Sequence, residues 1–193
     1  MTQDKSILHL RDDKHILYPG DYFATTKNIS IHTTLGSCIS VTLWDPMKQQ
    51  GGMNHFMLVG QIENTIAAST NARYGMAAME LLINQLIKLG SKKENLRAKL
   101  FGGCSCMESL ARSKVSVNNI RFAFRYLDIE KIPIDAIDVG GQQARKIIFS
   151  PKRGEVKMKK LNMNTHKNIL QKELDLQKTI KDSPISKNEF RLF

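Results

Sequence analysis

Short segments rich in apolar residues, separated by turn residues, fill the first third of the chain. Asn28 to Thr34 alternates apolar and polar residues and contains β-branched side chains, which predicts a strand with one buried face. Ile39 to Trp44 is rich in β-branched and large apolar residues, as expected of a buried strand. Asp45-Pro46 ends that segment. A third strand is predicted at Met53 to Val59, after two glycines. The pattern predicts strands that fold back on one another.

Helical periodicity begins after Gln61. A helix is predicted between a capping segment at Ser69-Thr70-Asn71 and Gly90, with an apolar face formed by Tyr74, Ala77, Ala78, Leu81, Leu82, Leu86 and Leu89. Asn118 to Asp128 fits a second helix. Further strands are predicted at Tyr22 to Thr26, Leu96 to Phe101, Ile132 to Val139, Lys146 to Ser150 and Glu155 to Leu161.

The order of these elements predicts the fold class. Strands and helices alternate, but many strand pairs are joined by segments too short for parallel crossovers. We therefore expect a single-domain, mixed α/β layered sandwich with largely antiparallel or mixed sheets and flanking helices. Residues 1–17 form an N-terminal extension, residues 18–161 the domain, and residues 162–193 a polar tail that is partly helical or disordered.

Composition places the chain among soluble globular proteins. It has 193 residues, of which 41% are hydrophobic and 24% charged, and no apolar run approaches the length that spans a membrane. The first residues lack the form of a secretory signal, and three cysteines argue against a disulfide framework. These features predict a cytoplasmic protein without membrane insertion.

The net charge of +11 is concentrated near the end of the predicted domain. Residues 145–160 hold seven basic side chains and one acidic side chain, so they contribute +6. Such a segment attracts anionic partners, or it forms a solvated hairpin face without a specific partner. The residues that we expect to contact a partner are Lys152, Arg153, Lys157 and Lys159.

The candidate catalytic residues lie in the segments predicted to form the first hairpin. Cys38 follows a Gly-Ser turn, and His55 lies 17 residues later in the next apolar run. A hairpin that turns at Asp45-Pro46 would bring the histidine beside the cysteine. An imidazole there can take the thiol proton and make the sulfur a nucleophile. The alternative is that both are buried structural residues, the commoner role for a cysteine in an apolar segment.

Two other patterns carry weaker signals. Cys104 and Cys106 are spaced as a pair, but no second pair completes four metal ligands, so two small buried side chains are the better interpretation. The glycine pairs Gly102-Gly103 and Gly140-Gly141 lack the pattern of phosphate-binding loops.

Several motifs together resemble the bacterial chemotaxis CheD family, whose members are chemoreceptor glutamine deamidases. The resemblance is carried, over about residues 18 to 161, by Tyr18-Pro19-Gly20-Asp21-Tyr22, Thr33-Thr34-Leu35-Gly36-Ser37-Cys38-Ile39-Ser40-Val41, Trp44-Asp45-Pro46, Gly51-Gly52-Met53-Asn54-His55-Phe56-Met57-Leu58, Arg73-Tyr74-Gly75, Lys99-Leu100-Phe101-Gly102-Gly103, Ile132-Pro133-Ile134, Asp138-Val139-Gly140-Gly141 and Arg145.

The resemblance implies a role for each site residue. Cys38 is the nucleophile and His55 its base, and a threonine just upstream of the Leu-Gly-Ser-Cys segment orients the histidine. Thr33 matches the family spacing, while Thr34 and His32 remain open alternatives. Backbone N–H groups at Gly36 and Ser37 are suited to hold the oxyanion, and no cofactor is required.

The resemblance also implies partners. The substrates are methyl-accepting chemoreceptors, recognised at their cytoplasmic helical region, and a second partner is the chemotaxis phosphatase CheC. Nucleic acid is not expected. Two rival functions fit the residues alone. One is a non-enzymatic module that binds nucleic acid through the basic hairpin, formed by the predicted strands Lys146 to Ser150 and Glu155 to Leu161 around Pro151-Lys152-Arg153-Gly154. The other is another cysteine amidase or peptidase.

Overall fold

The computed structural model describes residues 13–58, 70–105, 114–161 and 175, and for residues 70–73 it describes the backbone alone. Nine strands and two α-helices occur within these residues. The strands are β1 (Lys14–Ile16), β2 (Tyr22–Thr25), β3 (Ser30–Leu35), β4 (Ile39–Asp45), β5 (Gln50–Asn54), β6 (Arg97–Gly102), β7 (Ile134–Val139), β8 (Ala144–Ser150) and β9 (Glu155–Leu161); the helices are α1 (Thr70–Lys88) and α2 (Val115–Ile129), with a 3-10 turn at Lys93–Asn95.

The strands form two mixed sheets. One has five strands in the order β2-β5-β4-β6-β7, and the other has four in the order β1-β3-β8-β9. Neighbours are antiparallel except for the pairs β6–β7 and β1–β3. The prediction of a single-domain mixed α/β sandwich is confirmed.

Two apolar clusters hold three layers together. In the first, α1 and α2 cover one face of the five-stranded sheet, where β4 contributes Ile39, Val41 and Leu43. In the second, the opposite face of that sheet packs against the four-stranded sheet, with Leu35, Met53 and other buried side chains between them. Because β4 is covered on both faces, its near-continuous burial matches the sequence prediction.

The alternation along β3 decides which threonine faces the interior. Ile31 and Leu35 are fully buried, and Thr33, which lies between them at the same parity, is 3% exposed. His32 and Thr34 lie on the opposite, outer face and are half-buried. A shift of the β3 register by one residue would expose the side chains of Ile31 and Leu35. The burial of these two residues therefore fixes the inward orientation of Thr33.

The structure differs most from the sequence prediction at two strands, and the ends of other elements move by up to three residues. The predicted strand Met53 to Val59 is wrong in its bounds, because β5 runs from Gln50 to Asn54 and includes the two glycines. A Cβ at Gly52 would lie 2.6 Å from the Cβ of Ala24, so a close approach between strands requires glycine there. β1 lies within residues 1–17, where no element was predicted. The tail assigned to residues 162–193 lies, apart from residue 175, outside the described residues.

No helix in the part of the chain that the structure describes is long and apolar enough to cross a membrane.

Candidate active site

The hairpin β4–β5 brings Cys38 and His55 to the same side of the five-stranded sheet. Just beyond the hairpin ladder, Ile39 and Phe56 form a bridge in which each N–H donates to the other's carbonyl at 2.9 Å. Both of these side chains pack in the cluster beneath the helices. Because side chains alternate along a strand, Cys38 and His55 face the four-stranded sheet as diagonal neighbours.

A hydrogen bond to Thr33 defines the tautomer of His55. Oγ1 of Thr33 lies 2.8 Å from Nδ1 of His55 and 3.0 Å from the carbonyl oxygen of Leu17. A threonine hydroxyl has one proton, and the Leu17 oxygen can only accept it. The hydroxyl therefore accepts a hydrogen bond from Nδ1–H of His55. In the neutral ring, Nε2 is then unprotonated and can act as a base.

The environment of His55 keeps the ring neutral. The side chain is 1% exposed, and burial lowers the pKa of His55 from 6.5 to about 3, opposed in part by the Leu17 carbonyl. Nε2 is fully buried and has no hydrogen-bond partner among the described residues. Buried polar atoms are almost always paired, and a catalytic role is one explanation for an exception; Nε1 of Trp44 and Oδ2 of Asp45 are also unpaired among the described residues.

The backbone of His55 is held on both sides by the turn before β2. Gly20 donates its N–H to the carbonyl of His55 at 2.8 Å, and the N–H of His55 donates to the carbonyl of Asp21 at 2.9 Å. Tyr74 of α1 extends its hydroxyl toward the same turn, since that oxygen would lie 2.6 Å from a Cβ at Gly20. Burial and then the charges of Cys38 and Asp21 raise the pKa of Tyr74, so its phenol stays protonated.

Three donors fix the carbonyls of the Gly36-Ser37-Cys38 turn. The N–H of Cys104 donates to the Gly36 oxygen at 2.8 Å, Nδ2 of Asn119 to the Ser37 oxygen at 2.9 Å, and the N–H of Gly103 to the Cys38 oxygen at 2.7 Å. Each carbonyl shares a rigid peptide plane with the following N–H. The orientation of the N–H groups around Ser37 and Cys38 is therefore set before any substrate binds.

Asn119 is a site residue that sequence reasoning missed. It is fully buried on α2, and its Oδ1 accepts the N–H of Leu58 at 2.7 Å while its Nδ2 binds Ser37. One side chain thus connects the Gly36-Ser37-Cys38 turn to the segment that follows His55. The available signal was its position three and four residues before Phe122 and Ala123, which places an amide on the apolar face of the helix.

A cavity of about 320 Å³ in the four-stranded sheet reaches Thr33 and His55, and Cys38 is not among its lining residues. Its inner end is formed by Thr33 and His55, and its mouth is on the outer face of that sheet; the remaining lining residues are Lys14, Ile16, Leu17, Tyr18, Pro19, His32, Thr34 and Lys146. Cys38 is 0% exposed, so a substrate must displace some of what covers the thiol.

The other residues predicted for the site do not face His55. Thr34 points outward, and Nε2 of His32 lies 2.7 Å from Oγ of Ser30. In the basic hairpin, Lys159 lies opposite Lys146 and Lys157 opposite Ile148, whereas Arg153 pairs with Glu155 at 2.8 Å. Lys152 and Arg153 belong to the hairpin tip, at the end of the sheet where β3 begins and away from Cys38.

Cys104 differs from its sequence interpretation. It is buried, as predicted, but it is disulfide-bonded instead of being a free thiol, and Cys38 is the free cysteine of the described residues. Cys106 lies outside the described residues.

Comparison with known proteins defines the class to which this fold and site belong. The family model described as CheD chemotactic sensory transduction matches residues 57–160. A Shewanella oneidensis protein named "Probable chemoreceptor glutamine deamidase CheD 1" is 40% identical over 171 residues, covering 87% of this chain and 82% of that relative. A Laribacter hongkongensis protein named "Probable chemoreceptor glutamine deamidase CheD" is 38% identical, covering 86% of this chain and 82% of the relative.

The chain therefore belongs to the CheD family. Among solved structures, the Bacillus licheniformis hypothetical protein YfiH aligns with a TM-score of 0.40 and 13% identity, over 66% of this chain and 59% of that protein.

Proposed function

We propose that the protein is a chemoreceptor glutamine deamidase that hydrolyses receptor glutamine side chains to glutamate, with Cys38 as nucleophile, His55 as base and Thr33 as the residue that orients the base. Membership of the CheD family supports the reaction and the substrate class. The observation that supports the assignment of residues is the Thr33–His55 hydrogen bond, because it leaves Nε2 of a neutral histidine as an acceptor on the face that carries Cys38.

The first half of the reaction forms a thioester. Sγ of Cys38 attacks the side-chain amide carbon of the glutamine while Nε2 of His55 takes the thiol proton. The amide oxygen gains negative charge, which the oriented N–H groups of the Gly36-Ser37-Cys38 turn stabilise. The imidazolium then donates its proton to the amide nitrogen, the C–N bond breaks, and ammonia leaves.

The second half restores the enzyme. His55, neutral again, takes a proton from water as the water oxygen attacks the thioester carbon. The C–S bond breaks, the sulfur recovers a proton from the imidazolium, and glutamate is released. Because burial keeps His55 neutral at rest, we infer that the proton moves during attack and that no stable ion pair exists beforehand.

Mass spectrometry of a chemoreceptor cytoplasmic fragment tests the function directly. Incubation with this protein should convert specific glutamines to glutamate, with the mass gain of amide-to-acid conversion and with release of ammonia. The same incubation with Cys38→Ser is the matched control. Conversion that proceeds equally with both proteins would remove Cys38 from the reaction, and the absence of conversion with wild type would contradict the function.

Two finer proposals rest on family resemblance. We propose the chemotaxis phosphatase CheC as a second partner and the cytoplasm as the site of action, where the receptor helical region lies. Co-purification with CheC from a cell that contains both proteins tests the first proposal, and fractionation tests the second.

A further inference from the structure

The cavity that reaches His55 opens where β1 and β3 separate. Leu17 still donates its N–H to the carbonyl of His32 at 2.8 Å, but Gly20 already donates to His55. Between these points the chain crosses from the four-stranded sheet to the five-stranded sheet. The gap beside Tyr18 and Pro19 forms a passage from the outer sheet face to the buried pair of Thr33 and His55.

The mouth of this passage is basic. Lys14 and Lys146 are exposed and line it, and no acidic residue is among its described lining residues. Lys146 lies in a cross-strand row between Thr34 and Lys159. Two lysines directly opposite each other on a sheet repel, a cost that a bound anion would remove.

The lysines at and beside the mouth differ from nearby basic residues in their ion pairs. Arg145 and Lys160, on the other face of the same strands, both pair with Asp138. Within the described residues, no ion pair involves Lys14, Lys146 or Lys159. The positive charge at the passage is therefore available to a partner.

Exposed apolar side chains flank the same mouth. Ile16 is 46% exposed and Tyr18 is 53% exposed, and both line the passage. An aromatic and an aliphatic side chain beside unpaired lysines match the composition of protein-binding surfaces, where apolar anchors lie within a polar rim. They favour a polypeptide with acidic side chains over a nucleic acid, whose affinity depends on rows of phosphate contacts.

We propose that Lys14 and Lys146 form a carboxylate-binding subsite at the mouth of this passage, and that it takes an acidic side chain next to the target glutamine in the receptor segment. The assignment rests on the proposed function, since it places the substrate by the position of His55. Lys159 adds to the positive electrostatic potential at the mouth of the passage. The end of the hairpin that carries Arg153 lies outside the subsite. The lysines thus select which glutamines are presented to Cys38.

Steady-state kinetics on a chemoreceptor cytoplasmic fragment tests the subsite. The double variant Lys14→Gln/Lys146→Gln should raise KM about three- to tenfold at low ionic strength, as expected for the loss of two exposed charge contacts, and more than it lowers kcat. The increase should shrink near 1 M salt, where the Debye length is about 3 Å. The matched control Lys88→Gln/Lys92→Gln removes the same charge at another surface and should leave KM unchanged. Equal KM values for the two double variants at low salt overturn the subsite.

A second measurement keeps the subsite separate from the proposed function. Iodoacetate and iodoacetamide differ by one carboxylate, and mass spectrometry gives the rate at which each alkylates Cys38. Lys14→Gln/Lys146→Gln should lower the iodoacetate-to-iodoacetamide rate ratio several-fold, and the control pair should not.

If wild-type protein deamidates no receptor fragment, the proposed function fails and this ratio alone decides the subsite. An unchanged ratio then overturns it. Loss of affinity for a DNA oligonucleotide in the double variant, with an unchanged KM for the fragment, would also overturn it and assign the lysines to nucleic acid.

Discussion

Gly102 lies so close to Cys38 that a Cβ added at Gly102 would be 2.2 Å from the carbonyl oxygen of Cys38. The backbone of Gly102 has φ of +109°, so two independent constraints exclude a side chain there. Its neighbour Gly103 then donates to that same Cys38 oxygen at 2.7 Å. The glycine pair therefore fixes the backbone position of Cys38.

Gly102→Ala should lower the free energy of unfolding by more than about 3 kcal/mol, because the backbone at Cys38 must move. Urea denaturation measures the change. Gly90→Ala is a matched control, since Gly90 has φ of +93° but open space around the position of its Cβ. It should cost about 1–2 kcal/mol, for the positive φ alone. Equal losses for the two variants would show that the contact with Cys38 is unimportant.

Cys38→Ser should abolish deamidation while leaving the fold intact. Oxygen replaces sulfur at nearly the same position, but a serine hydroxyl beside a neutral histidine is a far weaker nucleophile than a cysteine thiol. Ammonia release and circular dichroism measure the two effects. Wild-type ammonia release by the serine variant would contradict the mechanism.

Thr33→Ala should reduce kcat about tenfold or more, because the Nδ1–H of His55 loses its acceptor and the ring its fixed orientation. Thr33→Ser keeps the hydroxyl and should restore most of the activity. Thr34→Ala and His32→Asn remove side chains from the outer face and should lower kcat much less. A stronger loss in either of these variants than in Thr33→Ala would assign the orienting role elsewhere.

Asn119→Leu should lower both stability and activity. The substitution leaves the Leu58 N–H and the Ser37 carbonyl without their partner, and each buried unpaired group costs about 1–3 kcal/mol. Urea denaturation measures the first effect and kcat the second. Arg121→Gln, on the exposed side of the same helix, is the control and should change neither.

The pH dependence of stability should report the burial of His55. Its pKa is about 3 in the folded protein and 6.5 ordinarily, so the unfolded chain takes up a proton between these values and the folded protein does not. The stability contributed by the neutral ring is present above pH 6.5 and is lost as pH falls, by up to about 1.4 kcal/mol per pH unit.

His55→Asn removes Nε2 and the titration but leaves an amide that can donate to Thr33. The wild-type free energy of unfolding should therefore fall more steeply between pH 6.5 and pH 5 than that of the variant. Parallel curves would show that His55 is solvated and titrates normally in the folded protein.

The local part of the site could be predicted from the sequence. A hairpin between two apolar runs brings Cys38 and His55 to one face, because strand pairing over a short connection leaves few alternatives. The inward direction of Thr33 follows from its parity with Ile31 and Leu35, whose burial fixes the strand. The basic segment and both helices were also visible as patterns, although Leu81 of the predicted apolar face is 45% exposed.

Only the tertiary structure decided which distant elements meet at these residues. Asn119 reaches Ser37 across 82 positions, and Gly102 of β6 lies against the carbonyl of Cys38. Lys14 and Lys146 line one cavity because β3 pairs with both β1 and β8. Periodicity records which side of an element is buried, but it does not record which buried sides face each other. Those contacts depend on the packing of three layers, and that packing is what desolvates His55 and opens the passage beside it.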